Sequence, residues 1–543
     1  MNRMTWLLLI LALLPAALLI NLGVMAFIDD EGIRAAVALE MGWTGEWLVP
    51  RMHGDIYLNK PPLWNWLLAA SFALLGRVDE WSVRLPTVLV LLGYCATIWA
   101  TTRRHFGRWG GFLTAMIFLT CGRILFWDSM LGLIDICFSW VIYGLFMWVF
   151  THYERADWRR LFLGAYTLAA VGFMLKGMPA IVFIGTTLVT WFAWNREWRK
   201  FFSVWHFVGG FLFLGIVGLY LWGYGRQADV GDLLARFFAE SSKRTVVKYG
   251  VGESLFHFLE FPLEMTYHFL PWSVLVVYFL RRDIWRVLRA DRFVFFCAFQ
   301  FAANIIIYWL SPEVYPRYLL MHAPLIFIVY YALHLRHRAE KTWQYKGLYY
   351  LFGIMGVALA GGALVPFFLP QTADLPLQAV KSVGLCLAIC AVTFLYFRRP
   401  KSMLPAFIVL ILLLRIGFNW FALPARAVSD VRGSAVRTTS RALGETYRDR
   451  PLVIFGLTIM EPATTIYLEE ARGSVVPRHL TDFESGIHYI VNPKQYPNLS
   501  QMVVDSLYVR HQQVWYRVGP LTDTAAADPK LGQEVEGADW MNE

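Results

Sequence analysis

The chain has 543 residues, of which 57% are apolar and only 16% charged. Apolar runs of about 20 residues recur along it, which excludes a soluble protein and marks a mainly α-helical, polytopic membrane protein. Its net charge of +10 is dispersed between those runs, where membrane topology places basic residues, so the charge does not point to nucleic acid.

The segment from Met1 to Ala26 has one early arginine and then a long apolar run without a clear small-residue cleavage site, and it reads as a retained anchor. Thirteen spans are predicted, near 6–27, 84–101, 109–126, 132–150, 160–175, 178–194, 204–223, 266–280, 293–310, 317–335, 347–366, 377–397 and 403–423. With the N-terminus in the cytoplasm, the inner connections are TTRRHFGRW, THYERADWRR, NREWRK, RRDIWRVLRADR, LRHRAEKTWQYK and RRPK, all rich in Lys or Arg. The opposite connections include a first outer loop, 28–83, and a second long one, 224–265. The odd count leaves the C-terminus outside.

Composition changes beyond residue 423. Residues 1–423 read as the membrane domain, and 424–543 as a small extracytoplasmic α/β domain with PLVIFG, HYIV and QVWYRV as strands and MEPATTIYLEEARG as a helix. Pro424 to Arg450 reads as a connector, and the last twenty or so residues as disordered. The six cysteines all lie in apolar runs without a CxxC pair, so neither a disulfide framework nor a zinc site is suggested.

Polar residues unsuited to a plain membrane bundle fall on the outer side. Asp29, Asp30 and Glu31 follow the first span, Lys60 precedes Pro61 and Pro62, Asp128 and Asp135 flank the third turn, and Lys176 sits between two spans. Arg244 and His257 lie in the second long loop, and His268, Glu313, Arg317 and Tyr318 near the outer ends of later spans. Ionisable groups at membrane depth are costly, and their clustering on one face suggests a shared site. Plainer roles exist for several: the acid triplet also suits the start of the helix that IRAAVALEM suggests, Lys60 also suits a snorkelling lysine, Asp128 a helix end, and His268 an interfacial histidine.

The runs DDEGIRAAVALEM, GEWLVPR and NKPPLWNW resemble the first outer loop of lipid-carrier-dependent GT-C glycosyltransferases, the superfamily of protein O-mannosyltransferases and the lipid A aminoarabinose transferase. LGLIDICF resembles that superfamily's second acidic motif, AAVGFMLKGMPA its L-x-x-KG turn, and SPEVYPRYLLMHAPL its late segment, so the similarity covers roughly residues 5–335. The resemblance implies a GT-C-like bundle and an inverting transfer from a polyprenyl-phosphate sugar to a lipid A-type glycolipid, another glycan or a protein hydroxyl. The setting it implies is the outer face of a bacterial-type inner membrane. By motif, Asp30 would be the catalytic aspartate, Lys60 a ligand of the donor phosphate and Tyr318 its further partner. Asp135 and Glu31 complete the acidic set.

A departing phosphate gathers negative charge, so Arg317 joins Lys60 and Tyr318 as a phosphate-binding candidate, with Lys176 and Arg244 behind them. Two departures concern the sugar and acceptor: Asn59 stands where an acid usually precedes K-P-P, and Ile33 and Arg34 displace the usual aromatic. No cofactor is implied; paired acids are of the type that hold a divalent cation, but no His/Cys ligand set accompanies them. The reading from another class is a transporter or flippase for a lipid-linked sugar, against which stands the lack of an internal repeat.

Overall fold

The computed structural model describes residues 2–522 except 29, 243–245, 312–313, 481–483 and 485, and no side chains within 241–255. Asp29, Arg244, Glu313 and the C-terminal segment expected to be disordered therefore lie outside the described residues.

The chain is mostly helical. Its principal helices are α1 (Arg3–Leu19), α2 (Glu31–Thr44), α3 (Leu63–Leu75), α4 (Glu80–Leu119), α5 (Asp135–Glu154), α6 (Trp158–Lys176), α7 (Pro179–Trp194) and α8 (Val204–Tyr224). They continue with α9 (Val230–Ser242), α10 (Val246–His268), α11 (Arg292–Trp309), α12 (Ala323–Glu340), α13 (Trp343–Gly362), α14 (Gln378–Arg398), α15 (Met403–Gly417), α16 (Val431–Thr446) and α17 (Pro462–Arg472). Among the described residues, seven helical stretches are long and apolar enough to cross a membrane, and α1, α3 and α7 are shorter apolar helices.

This differs in detail from the thirteen predicted spans. The stretches 84–101 and 109–126 lie largely within α4, which turns at Gly107, where φ is 72° and only glycine is unstrained. Residues 266–280 are not one α-helix but the end of α10 and a 3₁₀ run, Trp272–Phe279. The first long loop contains the apolar α3, and the second carries α9 and α10. Pro424–Arg450 is also largely helical, through Leu423–Ser429 and α16.

After α15 and its π-helical extension, the chain builds a five-stranded mixed sheet. Its strands are β3 (Leu452–Phe455), β4 (Arg478–His479), β5 (His488–Val491), β6 (Asp505–Val509) and β7 (Val514–Pro520), in the order β4-β3-β5-β7-β6. β3 runs parallel to β4 and β5, with Val453 opposite Tyr489, and β7 is antiparallel to β5 and β6. A two-stranded hairpin, β1 (Arg51–Met52) and β2 (Asp55–Ile56), lies in the first loop.

This sheet region is docked onto the first loop. A Cβ on Gly32 of α2 would come within 2.9 Å of the Pro462 backbone at the start of α17, so the two helices touch where glycine permits it. His53 of the hairpin meets Thr465 at 3.2 Å and Glu469 at 3.4 Å, both on α17. Tyr467 donates to Glu80 at the start of α4 and accepts from the Phe27 N–H at 3.0 Å. With such cover, α2 is buried from Glu31 to Met41 although it lies in a loop.

The first loop is held to the bundle by a buried ion pair. Arg84, 2% exposed, donates to both oxygens of the fully buried Glu31 at 3.0 and 2.6 Å and to the carbonyls of Leu22, Met25 and Ala26. Glu31 also accepts from the Gly132 N–H at 3.0 Å, and the Gly132 carbonyl accepts from Trp64 Nε1 at 3.0 Å. One ion pair thereby joins the end of α1, the start of α2, α4, the segment before α5 and, through Trp64, the start of α3. Removing one partner of such a pair strands the other charge, at about 3–5 kcal/mol. Arg84→Ala and Glu31→Ala should each lower the thermal unfolding temperature in detergent by several degrees, and unchanged unfolding would show that the pair does not hold the loop.

Candidate functional site

Four elements deliver ionic groups to one place under the docked sheet region. Asp30 stands at the N-terminus of α2 and Asp135 at that of α5, where carboxylates are favoured by the helix dipole. Lys176 ends α6, where a cation is favoured for the same reason. Arg317 and Tyr318 lie in a 3₁₀ turn, Pro316–Leu319, just before α12.

Arg317 bridges the two acids, with Nη2 3.6 Å from Asp30 and Nε 3.8 Å from Asp135. The Lys176 ammonium lies 2.5 Å from the other oxygen of Asp135 and 4.0 Å above the centre of the Tyr318 ring. The order is therefore Asp30, Arg317, Asp135, Lys176, Tyr318. The Asp30 side chain is 35% exposed and that of Asp135 only 7%, so Asp30 is the acid an incoming molecule can reach.

Beside this chain of charges lies a cavity of about 280 Å³. Lys60, Lys176, Tyr318, Asn59 and Glu240 supply its polar lining, and Val182, Phe183, Phe237 and Ile307 are among its apolar walls. Such a space suits a ligand with an anionic head and a hydrocarbon tail. Pro61 and Pro62 follow Lys60 and stiffen the backbone that aims it. Burial, with the positive charges of Arg34 and Lys176 nearby, pushes the Lys60 ammonium down from its ordinary 10.5 to about 7, despite Glu240 and Asp30. An anion placed against Lys60 would reverse that shift.

The remaining predicted residues serve other contacts. Glu31 belongs to the pair with Arg84 that holds the loop, with both oxygens engaged. Asp128 takes a two-pronged contact from Arg123 at 3.0 and 3.1 Å. Burial nevertheless pushes its carboxyl up to about 6, Arg123 opposing. His268 pairs with Glu264 at 3.5 Å, and His257 packs its ring against Phe261 with centroids 5.3 Å apart. Among the described residues no three His, Cys, Asp or Glu side chains converge as a cation site.

Sequence reasoning missed three parts of this environment. Arg34 is buried one turn after Asp30 and donates to the Tyr57 hydroxyl at 3.0 Å. Arg236 of α9 donates to Asn59 at 2.8 Å and pairs with Glu240 at 3.2 Å, tying the second long loop to the residue before Lys60. Arg84 was hidden within a predicted span, where a charge in WSVRLPTVLVL was the available signal.

Comparison with known proteins agrees with this architecture. Residues 59–222 match the sequence profile of the dolichyl-phosphate-mannose-protein mannosyltransferase family. An uncharacterized protein of Aquifex aeolicus is 24% identical over 356 residues, covering 64% of this chain and 68% of its own. The undecaprenyl phosphate-alpha-4-amino-4-deoxy-L-arabinose arabinosyl transferase of Pseudomonas aeruginosa is 25% identical over 406 residues, 72% of this chain and 65% of that protein. That of Pseudomonas savastanoi is 27% identical over 201 residues, 35% of this chain and 36% of its own length. The matches thus span about a third to two thirds of these relatives.

The crystal structure of ArnT from Cupriavidus metallidurans bound to undecaprenyl phosphate superposes with a TM-score of 0.70 at 19% identity, over 96% of this chain and 99% of that one. Its apo state gives 0.65 at 18% identity, over 97% and 99%. This chain is a multi-pass membrane protein with that fold.

An anionic ligand that engages Lys60 would bind with a pH dependence set by this depressed ammonium. Below about pH 7 the ammonium is already charged; above it, binding must take up a proton. Affinity for a phosphodiester, which does not itself titrate in this range, should be greatest below pH 7 and fall by up to about tenfold per unit above it. Lys60→Arg, charged throughout, should flatten the curve. Calorimetric titration at pH 6 and 8.5 checks this, and a flat curve in the unmodified protein would separate Lys60 from the ligand.

Proposed function

We propose that this chain, of the GT-C superfamily by fold and by motif, transfers a sugar from a polyprenyl-phosphate donor to an acceptor at the outer face of a bacterial-type inner membrane. The acceptor class is a lipid A-type glycolipid, another glycan or a protein hydroxyl. The observation that carries the reading is the cavity where Lys60, Lys176 and Tyr318 meet apolar walls, beside Asp30 and Asp135. Relatives named for undecaprenyl-phosphate sugar transfer and a like-folded protein holding undecaprenyl phosphate support it. Residues 1–423 act as the catalytic membrane domain in this reading, and 424–543 as an outer domain covering the first loop.

The carrier phosphate binds against Lys60, with Lys176, Tyr318 and Arg317 around it, and the carrier chain follows the apolar walls. A hydroxyl acceptor attacks the anomeric carbon opposite the phosphate, which inverts that centre. The new carbon–oxygen bond forms as the bond to the phosphate oxygen breaks, and its electron pair leaves with the phosphate.

Asp30 takes the proton of the attacking hydroxyl, a contribution on the order of 10²–10⁴ in rate. With a phosphate acceptor, already ionised, Asp30 orients it instead. Each donor aimed at the growing charge on the leaving phosphate lowers the barrier by about 3 kcal/mol. Arg317 holds Asp30 and Asp135 in register, and Asp135 holds Lys176 against the ring of Tyr318.

The test uses purified protein in detergent with a radiolabelled polyprenyl-phosphate sugar, reading the labelled acceptor and the released polyprenyl phosphate. Asp30→Asn should bind the donor normally and lose transfer by about 10²-fold or more. Lys60→Ala should lose both donor affinity and single-turnover rate, because the phosphate charge that it neutralises grows as the sugar departs. Movement of intact donor across a vesicle membrane without cleavage would favour the transport reading and sink this one.

A further inference from the structure

Asp30 and Arg34 are four residues apart and share one face of α2, while Glu31, one position round, turns to Arg84. Arg34 is only 2% exposed. Its Nη1 donates to the Tyr57 hydroxyl at 3.0 Å, the Tyr57 ring centre lies 5.5 Å from the guanidinium carbon, and its buried Nε meets no acceptor. Asp30 and Asp135 are within electrostatic reach of Arg34, but both carboxylates are engaged by Arg317, and Asp135 by Lys176 as well. No carboxylate among the described residues is within ion-pair distance of Arg34. Other buried arginines near the site differ in this respect: Arg84 has Glu31, and Arg317 has two aspartates.

A buried guanidinium that donates to a neutral hydroxyl and leaves Nε without an acceptor keeps donors for an arriving anion. Lys60, three residues beyond Tyr57, feels Arg34 as a repelling neighbour, so the two cations approach one region, which Glu240 and Asp30 offset only in part. Lys60 supplies a point charge there, and Arg34 a planar fork that matches two phosphate oxygens.

We propose that Arg34 is a second ligand of the carrier phosphate, engaging it most strongly after the sugar has left, when the phosphate is a monoester with an additional ionisable oxygen. This rests on the transfer reaction above and extends it to the product state. The phosphodiester donor offers two unesterified oxygens bearing one charge; the monoester offers three bearing up to two. Lys60 serves both states, and Arg34 is the group that distinguishes them. During transfer the same preference pulls toward bond cleavage, since the stabilisation grows as the charge moves onto the phosphate.

The experiment compares binding of undecaprenyl phosphate and of a polyprenyl phosphodiester to the full-length protein in detergent at pH 7.5. Arg34→Gln should weaken the monoester about 30-fold and the diester less than about threefold, as expected for loss of charge-assisted hydrogen bonds made chiefly to the dianion. The variant should also move the pH midpoint of diester binding above 7, because Lys60 loses a repelling neighbour. Equal weakening of the two ligands, or of neither, overturns the proposal. If Arg34→Gln does not fold, Arg34→Lys decides, because an ammonium lacks the planar fork that engages two oxygens side by side: monoester affinity should fall several-fold with diester affinity held, and unchanged affinities overturn the proposal. Failure of the unmodified protein to bind either lipid would reject the transfer reading itself, a result distinct from an unselective Arg34.

Discussion

The site depends on the buried pair between Arg84 and Glu31. Neither residue faces the cavity, yet together they tie the end of α1, the helix carrying Asp30, the first turn of α4 and the Gly132 segment that leads to Asp135. Trp64 adds the K-P-P segment by donating to the Gly132 carbonyl. At Gly132 a Cβ would meet a Val83 side-chain carbon at 2.3 Å, so the segment passes close to α4 only because that residue is glycine. A loop of more than fifty residues between two apolar helices would ordinarily be mobile. Here it is anchored at several points to the bundle and covered by the sheet region, so its charged groups keep fixed positions.

Fixed positions matter because the site is rich in like charges. Lys60 and Lys176 line a partly apolar space, Arg317 and Arg34 stand within electrostatic reach of it, and Asp30, Asp135 and Glu240 compensate only part of these charges. In water such a cluster would relax by spreading apart; held by α2, α6, the K-P-P segment and the turn before α12, it stays oriented. Preorganised charge of this kind stabilises a developing anion without reorganising at the moment of reaction. The apolar walls strengthen each interaction by excluding water. The docked sheet region contributes by closing over α2 through Gly32, His53 and Tyr467.

The membrane class, the polar C-terminal region and the ionisable residues at span ends were legible from hydropathy and charge. Asp30, Asp135, Lys176, Arg317 and Tyr318 were all readable as charges or phenols at span ends, and the structure brings them together. Which acid serves which purpose was not legible: Glu31 adjoins Asp30 in sequence, but a 100° step around the helix sends it to Arg84. Span boundaries failed where hydropathy cannot see backbone geometry, at the Gly107 turn and the 3₁₀ run Trp272–Phe279. Arg34, Asn59 and Arg236 acquire their meaning from partners 23 and 177 residues away, Tyr57 for Arg34 and each other for Asn59 and Arg236, and no local pattern encodes such pairings.

The central claim is that the carrier phosphate sits where Lys60, Lys176 and Tyr318 line one cavity beside Asp30. A structure of the full-length protein with a non-cleavable polyprenyl-phosphonate sugar tests this most directly. The phosphonate oxygens should lie within hydrogen-bond distance of Lys60, and the anomeric carbon on the side facing Asp30. Phosphonate bound away from Lys60, with the cavity holding only hydrocarbon or empty, would contradict it.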